Sequence, residues 1–212
     1  MTRVEERKRE EARLARINAV APHGAKWFLV LFWLAIVLEV CGIFTSIELF
    51  SKFEIFVNSA KIIETIFVLA YGAVMLRLSK FESRFMTAGV LTIIIGLISL
   101  LMWHLEKMVV LENWAPVLIL PASILGLIST YNEFTACADI VYVISEDCYL
   151  DWLLLRKLYF GAMIGYIACI VLQIIAPVIG LIGLVVCSIV IIVVCVLRLV
   201  ALRRTMLAFR YY

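Results

Sequence analysis

Charged residues are scarce in this chain. Asp, Glu, Lys and Arg make up 17% of the 212 residues, against about 25% in a soluble globular domain. Hydrophobic residues make up 65%, and the mean hydropathy is +1.09. The apolar residues come in long runs rather than alternating with polar ones. This excludes disorder, a coiled coil and an ordinary water-soluble enzyme. Histidine is nearly absent, with only His23 and His104, which argues against His-rich metal or bis-His haem sites. None of the six cysteines forms a CxxC pair. Zinc sites and disulfide exchange need thiols close together, so these cysteines read as small buried hydrophobes. No GxSxG elbow, HExxH, P-loop or dinucleotide glycine pattern occurs, so the chain is not read as an enzyme. No cofactor, metal or nucleic-acid partner is expected. No internal repeat is visible. No cleavable signal peptide is expected either, because the first apolar run exceeds an h-region of about 7–15 residues. That run reads as a retained signal anchor.

What is present is a series of membrane spans. About 20 apolar residues cross about 30 Å of hydrocarbon. The sequence therefore predicts an all-α, polytopic integral membrane protein with six transmembrane helices. Spans are expected near Trp27–Ile47, Ile55–Met75, Phe85–Trp103, Trp114–Val143, Trp152–Ile175 and Val178–Val200. The last two come from one apolar stretch, Leu158 to Val200. As a single helix it would be about 65 Å long, twice the hydrocarbon thickness, so it must fold back, with the turn at Pro177 and Gly180. Residues 1–26 read as a charged cytoplasmic or interfacial helix, broken by Pro22-His23-Gly24 before the membrane. Residues 27–202 form the six-helix domain, and 203–212 a basic, aromatic cytoplasmic tail.

The net charge of +3 matters less than where the basic residues fall. With the N-terminus inside, sixteen of the nineteen Lys and Arg lie on inner segments. They are Arg3, Arg7, Lys8, Arg9, Arg13, Arg16 and Lys26, then Arg77, Lys80 and Arg84, then Arg156 and Lys157, then Arg198, Arg203, Arg204 and Arg210. Only Lys52, Lys61 and Lys107 fall outward. The positive-inside rule thus favours six spans with both termini cytoplasmic, as in a bacterial inner membrane. Trp27 and Trp152 are expected at the inner interface, Trp103 and Trp114 at the outer. Beyond the lipid bilayer, the partners expected are a second copy or a membrane-complex subunit. In the first helix Arg7, Lys8, Arg9, Arg13 and Arg16 suit anionic headgroups or such a partner. Gly161-x-x-x-Gly165 suits close helix packing, against the sixth helix or in a homodimer.

The functional signal is charge at membrane depth. An ionised side chain centred in lipid costs at least about 2.5–3.5 kcal/mol, so such residues are functional candidates. Glu39 and Glu64 fall near the midplane and Glu133 in the inner half. Lys61 and Glu64 are three residues apart on one helix face. Three carboxylates against one amine, Lys61, leave an excess of negative charge. Shared protons or a bound cation would relieve it. Ser129, Asn132, Thr135, Asp139 and Tyr142 recur at helical spacing along one face of the fourth span, suiting either a wetted cavity or helix-to-helix hydrogen bonds. The sequence thus points to a small transporter or channel-like subunit. It would pass a proton, cation or small polar solute by Glu39, Lys61, Glu64, Glu133, Asn132 and Asp139. A non-transporting anchor or regulatory subunit is the other reading.

Overall fold

Lipid offers no hydrogen bonds, so a backbone that crosses it must satisfy its own N–H and C=O groups, and apolar runs of this length fold as helices. A computed structural model describes residues 3–46, 54–106, 115–142 and 144–211. Every regular element among them is a helix. They are α1 (Arg3–Ser46), α2 (Glu54–Leu78), α3 (Arg84–Glu106), α4 (Ala115–Val141), α5 (Glu146–Ile175) and α6 (Pro177–Tyr211). Five helical stretches are long and apolar enough to cross a membrane: His23–Gly42, Asn58–Leu78, Arg84–Leu105, Glu146–Ile175 and Pro177–Tyr211. These are the marks of an integral membrane protein.

Each helix packs on its neighbours in sequence, and α1 packs on α6, so the six close into a ring. The core lies at one end of that ring, called here the packed end. It gathers Phe28 and Leu31 of α1, Tyr71 to Leu78 of α2, Phe85 of α3, Phe134 to Val141 of α4, Trp152 of α5, and Leu202 and Phe209 of α6. The opposite, open end presents apolar side chains outward, with Ile174 82% and Val178 71% exposed. The accessible area of the chain is 13415 Å², about a third above the roughly 9,900 Å² of a compact soluble monomer of this mass. Side chains meant for lipid account for such an excess.

Two glycines set the α2–α3 crossing. A Cβ on Gly89 would lie 2.8 Å from the Gly72 carbonyl oxygen, and one on Gly72 2.9 Å from that of Gly89. The backbones touch there. Between α5 and α6 the reversal falls at Ala176, with Pro177 opening α6, where its missing N–H goes unneeded. This is the turn expected from the sequence.

One expectation about a helix end needs correction. Helix α1 runs unbroken through Pro22-His23-Gly24. Packing overrides the local signal there: buried Gly24 lies against Phe81 and Phe209, and Phe28 stacks on Phe209 with ring centroids 5.3 Å apart. Residues 203–211 are helical, because α6 continues to Tyr211. Leu202, Thr205 and Phe209 recur at helical spacing and are all buried, which extends the inward face of α6. The acidic run Ser145–Asp151 forms the cap and opening turns of α5. Ser145 caps the helix by accepting from the Cys148 N–H, and Glu146 and Asp147 sit in its first turn, where the helix dipole favours negative charge. Trp152 of α5 packs inside the bundle. It is fully buried, and its indole N–H donates to Thr205 Oγ1 at 2.9 Å.

Candidate functional site

Helix α4 carries the acid at the centre of the bundle. From Glu133 to Ala138 every residue is buried, so this helix meets neighbours on all sides. Glu133 itself is 3% exposed. Its counter-charge is Arg198 of α6, which the sequence reading placed among the inner surface charges. Arg198 Nη2 donates to Glu133 Oε1 at 2.8 Å and to Oε2 at 3.0 Å, and Arg198 Nε donates to Oε1 at 3.1 Å. The Tyr71 hydroxyl of α2 donates to Glu133 Oε1 at 2.7 Å and accepts from Arg198 Nη2 at 2.6 Å. The guanidinium also lies 5.2 Å from the centre of the Tyr71 ring. Such charge-assisted, multiply bonded pairs are the strong kind.

Glu39 of α1 approaches the same guanidinium from the other side. Its Oε1 is 3.8 Å from Arg198 Nη1, and its side chain is 31% exposed. The Cys195 thiol, one turn before Arg198, also hydrogen-bonds to Glu39. Two of the three expected acids therefore converge, and they share one cation. Glu133 holds it tightly, and Glu39 holds it at a longer distance.

Glu64 stands apart. It lines a pocket between α2 and α3 together with Lys61, Thr65, Val68, Gly96, Ser99, Met102 and Trp103, with a volume of about 260 Å³. Lys61 and Glu64 interact electrostatically. The pocket and the Glu133 cluster are related through α2, because Glu64, Val68 and Tyr71 fall on one helical face. Seven residues from Glu64 to Tyr71 give about 10 Å along the axis. The pocket wall therefore continues into the charged centre.

The remaining expected site residues make the following contacts. Asn132 donates to the Ile128 carbonyl of its own helix at 2.8 Å. Asp139 pairs with Arg84 of α3 at 2.9 Å at the packed end. Ser129 donates to the Ala88 carbonyl at 3.0 Å and bonds to Thr92 at 2.9 Å. Thr135 donates to the Tyr131 carbonyl and accepts from Arg156 at 3.1 Å. Ser129, Thr135 and Asp139 of the polar stripe thus join α4 to α3 or α5. Gly165 faces α6, where a Cβ would lie 3.2 Å from Cys187 Sγ, whereas Gly161 faces open space. Arg7 and Lys8 are exposed on α1; the side chains of Arg9, Arg13 and Arg16 lie outside the described residues, as does Trp114. Among the described residues no group of three or more His, Cys, Asp or Glu side chains is placed to hold a metal ion.

Comparisons of the chain with protein-family models, with curated proteins and with solved structures find no match.

Proposed function

We propose that this protein is a small six-span membrane transporter or channel-like subunit. Both termini face the cytoplasm, and the bacterial inner membrane is the setting. It passes a proton, a cation or a small polar solute by way of intramembrane carboxylates. One observation carries the reading: two acids on different helices, Glu39 and Glu133, compete for the single guanidinium of Arg198. Ionised Glu39 attracts Arg198 and so draws α1 toward α6. A proton on Glu39 cancels that attraction and leaves Arg198 wholly to Glu133. A proton or cation arriving at Glu39 thus changes a contact between two spans, and a coupled carrier needs such a device. The polar pocket at Lys61 and Glu64, on the same face of α2, supports a route from the open end.

The test is flux in liposomes holding the purified protein and a pH-sensitive dye. Glu39→Gln and Glu64→Gln are expected to abolish proton-coupled flux while abundance and unfolding temperature stay near those of the parent. Full flux by both variants refutes the reading.

A second reading, an anchor or regulatory subunit, rests on α1. That helix begins at Arg3, some twenty residues ahead of its span at His23–Gly42, and shows exposed Arg7 and Lys8. Deleting Met1 to Arg16 would then release a co-purifying partner, and a partner that stays bound argues against it.

A further inference from the structure

The pocket between α2 and α3 has a composition of its own. Its walls hold one ammonium and one carboxylate, Lys61 and Glu64, a single helical turn apart. Thr65 and Ser99 add hydroxyls, and Val68, Met102 and Trp103 add apolar surface. The Thr65 hydroxyl spends its proton on the Lys61 carbonyl at 2.9 Å, so its oxygen is left as an acceptor. The Trp103 indole N–H is turned to Asn58 Oδ1 at 3.4 Å, which ties α3 to the start of the α2 span. The volume of about 260 Å³ lies just below the range of about 300–1,000 Å³ typical of drug-sized ligands. Gly96 forms part of the wall, where a Cβ would come within 3.0 Å of Val68, so the two helices stay close beneath the hollow.

We propose that this pocket binds a small zwitterion, its ammonium against Glu64 and its anionic group against Lys61. A lone cation would meet Lys61, and a lone anion would meet Glu64. Lys61 and Glu64 already attract each other, and a molecule carrying both charges a few bonds apart can meet both without separating unlike charges, while the apolar remainder fits its short carbon chain. Two sources offer this chemistry: a free amino-acid-like solute, or the phosphoethanolamine headgroup of a lipid. The pocket begins one turn inside the α2 span that opens at Asn58, which is within reach of either. The proposal deepens the transport reading by naming the solute class, and it rests on that reading for its role in flux, though binding itself is read at equilibrium with no gradient. A failed flux assay therefore leaves the binding result standing, and failed binding leaves the flux result standing.

The experiment titrates the full chain in a non-ionic detergent with phosphoethanolamine, ethanolamine and inorganic phosphate separately, following tryptophan fluorescence against a Trp103→Phe control. Phosphoethanolamine is expected to bind saturably, and each half-ligand about tenfold or more weaker, because each loses one charge-assisted contact. Lys61→Met and Glu64→Gln are expected to weaken phosphoethanolamine by a similar factor, and Lys61→Arg to keep most of the binding. A second arm counts lipids retained by the protein from nanodiscs of phosphatidylethanolamine or phosphatidylglycerol, by native mass spectrometry. Selective retention of the former supports the pocket with a lipid source, and binding of the free headgroup alone supports it with a soluble source. Half-ligands that bind the parent protein as well as phosphoethanolamine overturn the proposal without reliance on any variant. So does the absence of both saturable binding and selective retention.

Discussion

Replacing Arg198 by Met would leave the Glu133 carboxylate, 3% exposed, with only the Tyr71 hydroxyl as a donor. An uncompensated buried charge costs about 3–5 kcal/mol. Glu133→Gln is expected to cost clearly less, because Arg198 keeps both Tyr71 and Glu39 as partners. Denaturant unfolding of the two variants in one detergent checks the order, and equal losses would show that Glu39 offers Arg198 nothing. That Glu39 and Glu133 stand on long helices was legible in the sequence. Their counter-ion was not. Counting positive charges assigns a basic residue to a side of the membrane but not to a direction around its helix. Arg198 lies within the last span, close enough to the inner surface to be counted with it. Its inward turn emerges only when α6 packs beside α1 and near α4.

At the scale of elements, two glycines with similar sequence surroundings are expected to behave in opposite ways. Gly89→Ala drives a Cβ to 2.8 Å from the Gly72 oxygen. The obstacle is backbone, so α2 and α3 must separate, and overpacking of this kind costs about 1–3 kcal/mol. Gly161→Ala meets nothing within 4 Å, and a helical Gly-to-Ala change gains about 0.5–1 kcal/mol. Thermal unfolding of both variants tests the contrast. Sedimentation of Gly161→Ala in detergent tests the homodimer alternative as well, since a dimer packed on Gly161 would dissociate. Thr205→Val removes the acceptor of the buried Trp152 indole N–H, and an orphaned buried donor costs about 1–3 kcal/mol. Apolar runs and Pro177 made the helices and the last turn legible. The ends of α1 and α6 were not, because the contacts that hold them join residues far apart in sequence. Phe28, midway along α1, and Phe209, near the end of α6, stack at the packed end.

At the scale of the whole molecule that same stacking bears on topology. Phe28 lies near the start of the α1 span and Phe209 near the end of α6, so the bundle brings the beginning of its first span and the end of its last to one end. A ring of antiparallel neighbours can do this only with an even number of crossings. On the proposed six-span reading the sixth crossing is α4, which is not among the five stretches long and apolar enough to span among the described residues. Its polar side chains do not bar a crossing: Ser129, Glu133 and Thr135 are buried against neighbouring helices, and Leu120 and Ile124 are exposed. Six crossings put both termini on the same side of the membrane, and five would put them on opposite sides. On the proposed six-span reading, the excess of Lys and Arg at the packed end makes that side the cytoplasm. Tags fused to the two termini, probed with protease in right-side-out and inside-out vesicles, give a direct reading. Both tags are expected to be cleaved only in inside-out vesicles. Cleavage of one tag in each orientation would remove α4 from the set of spans, and with it the placement of Glu133 inside the bilayer on which the carrier mechanism depends.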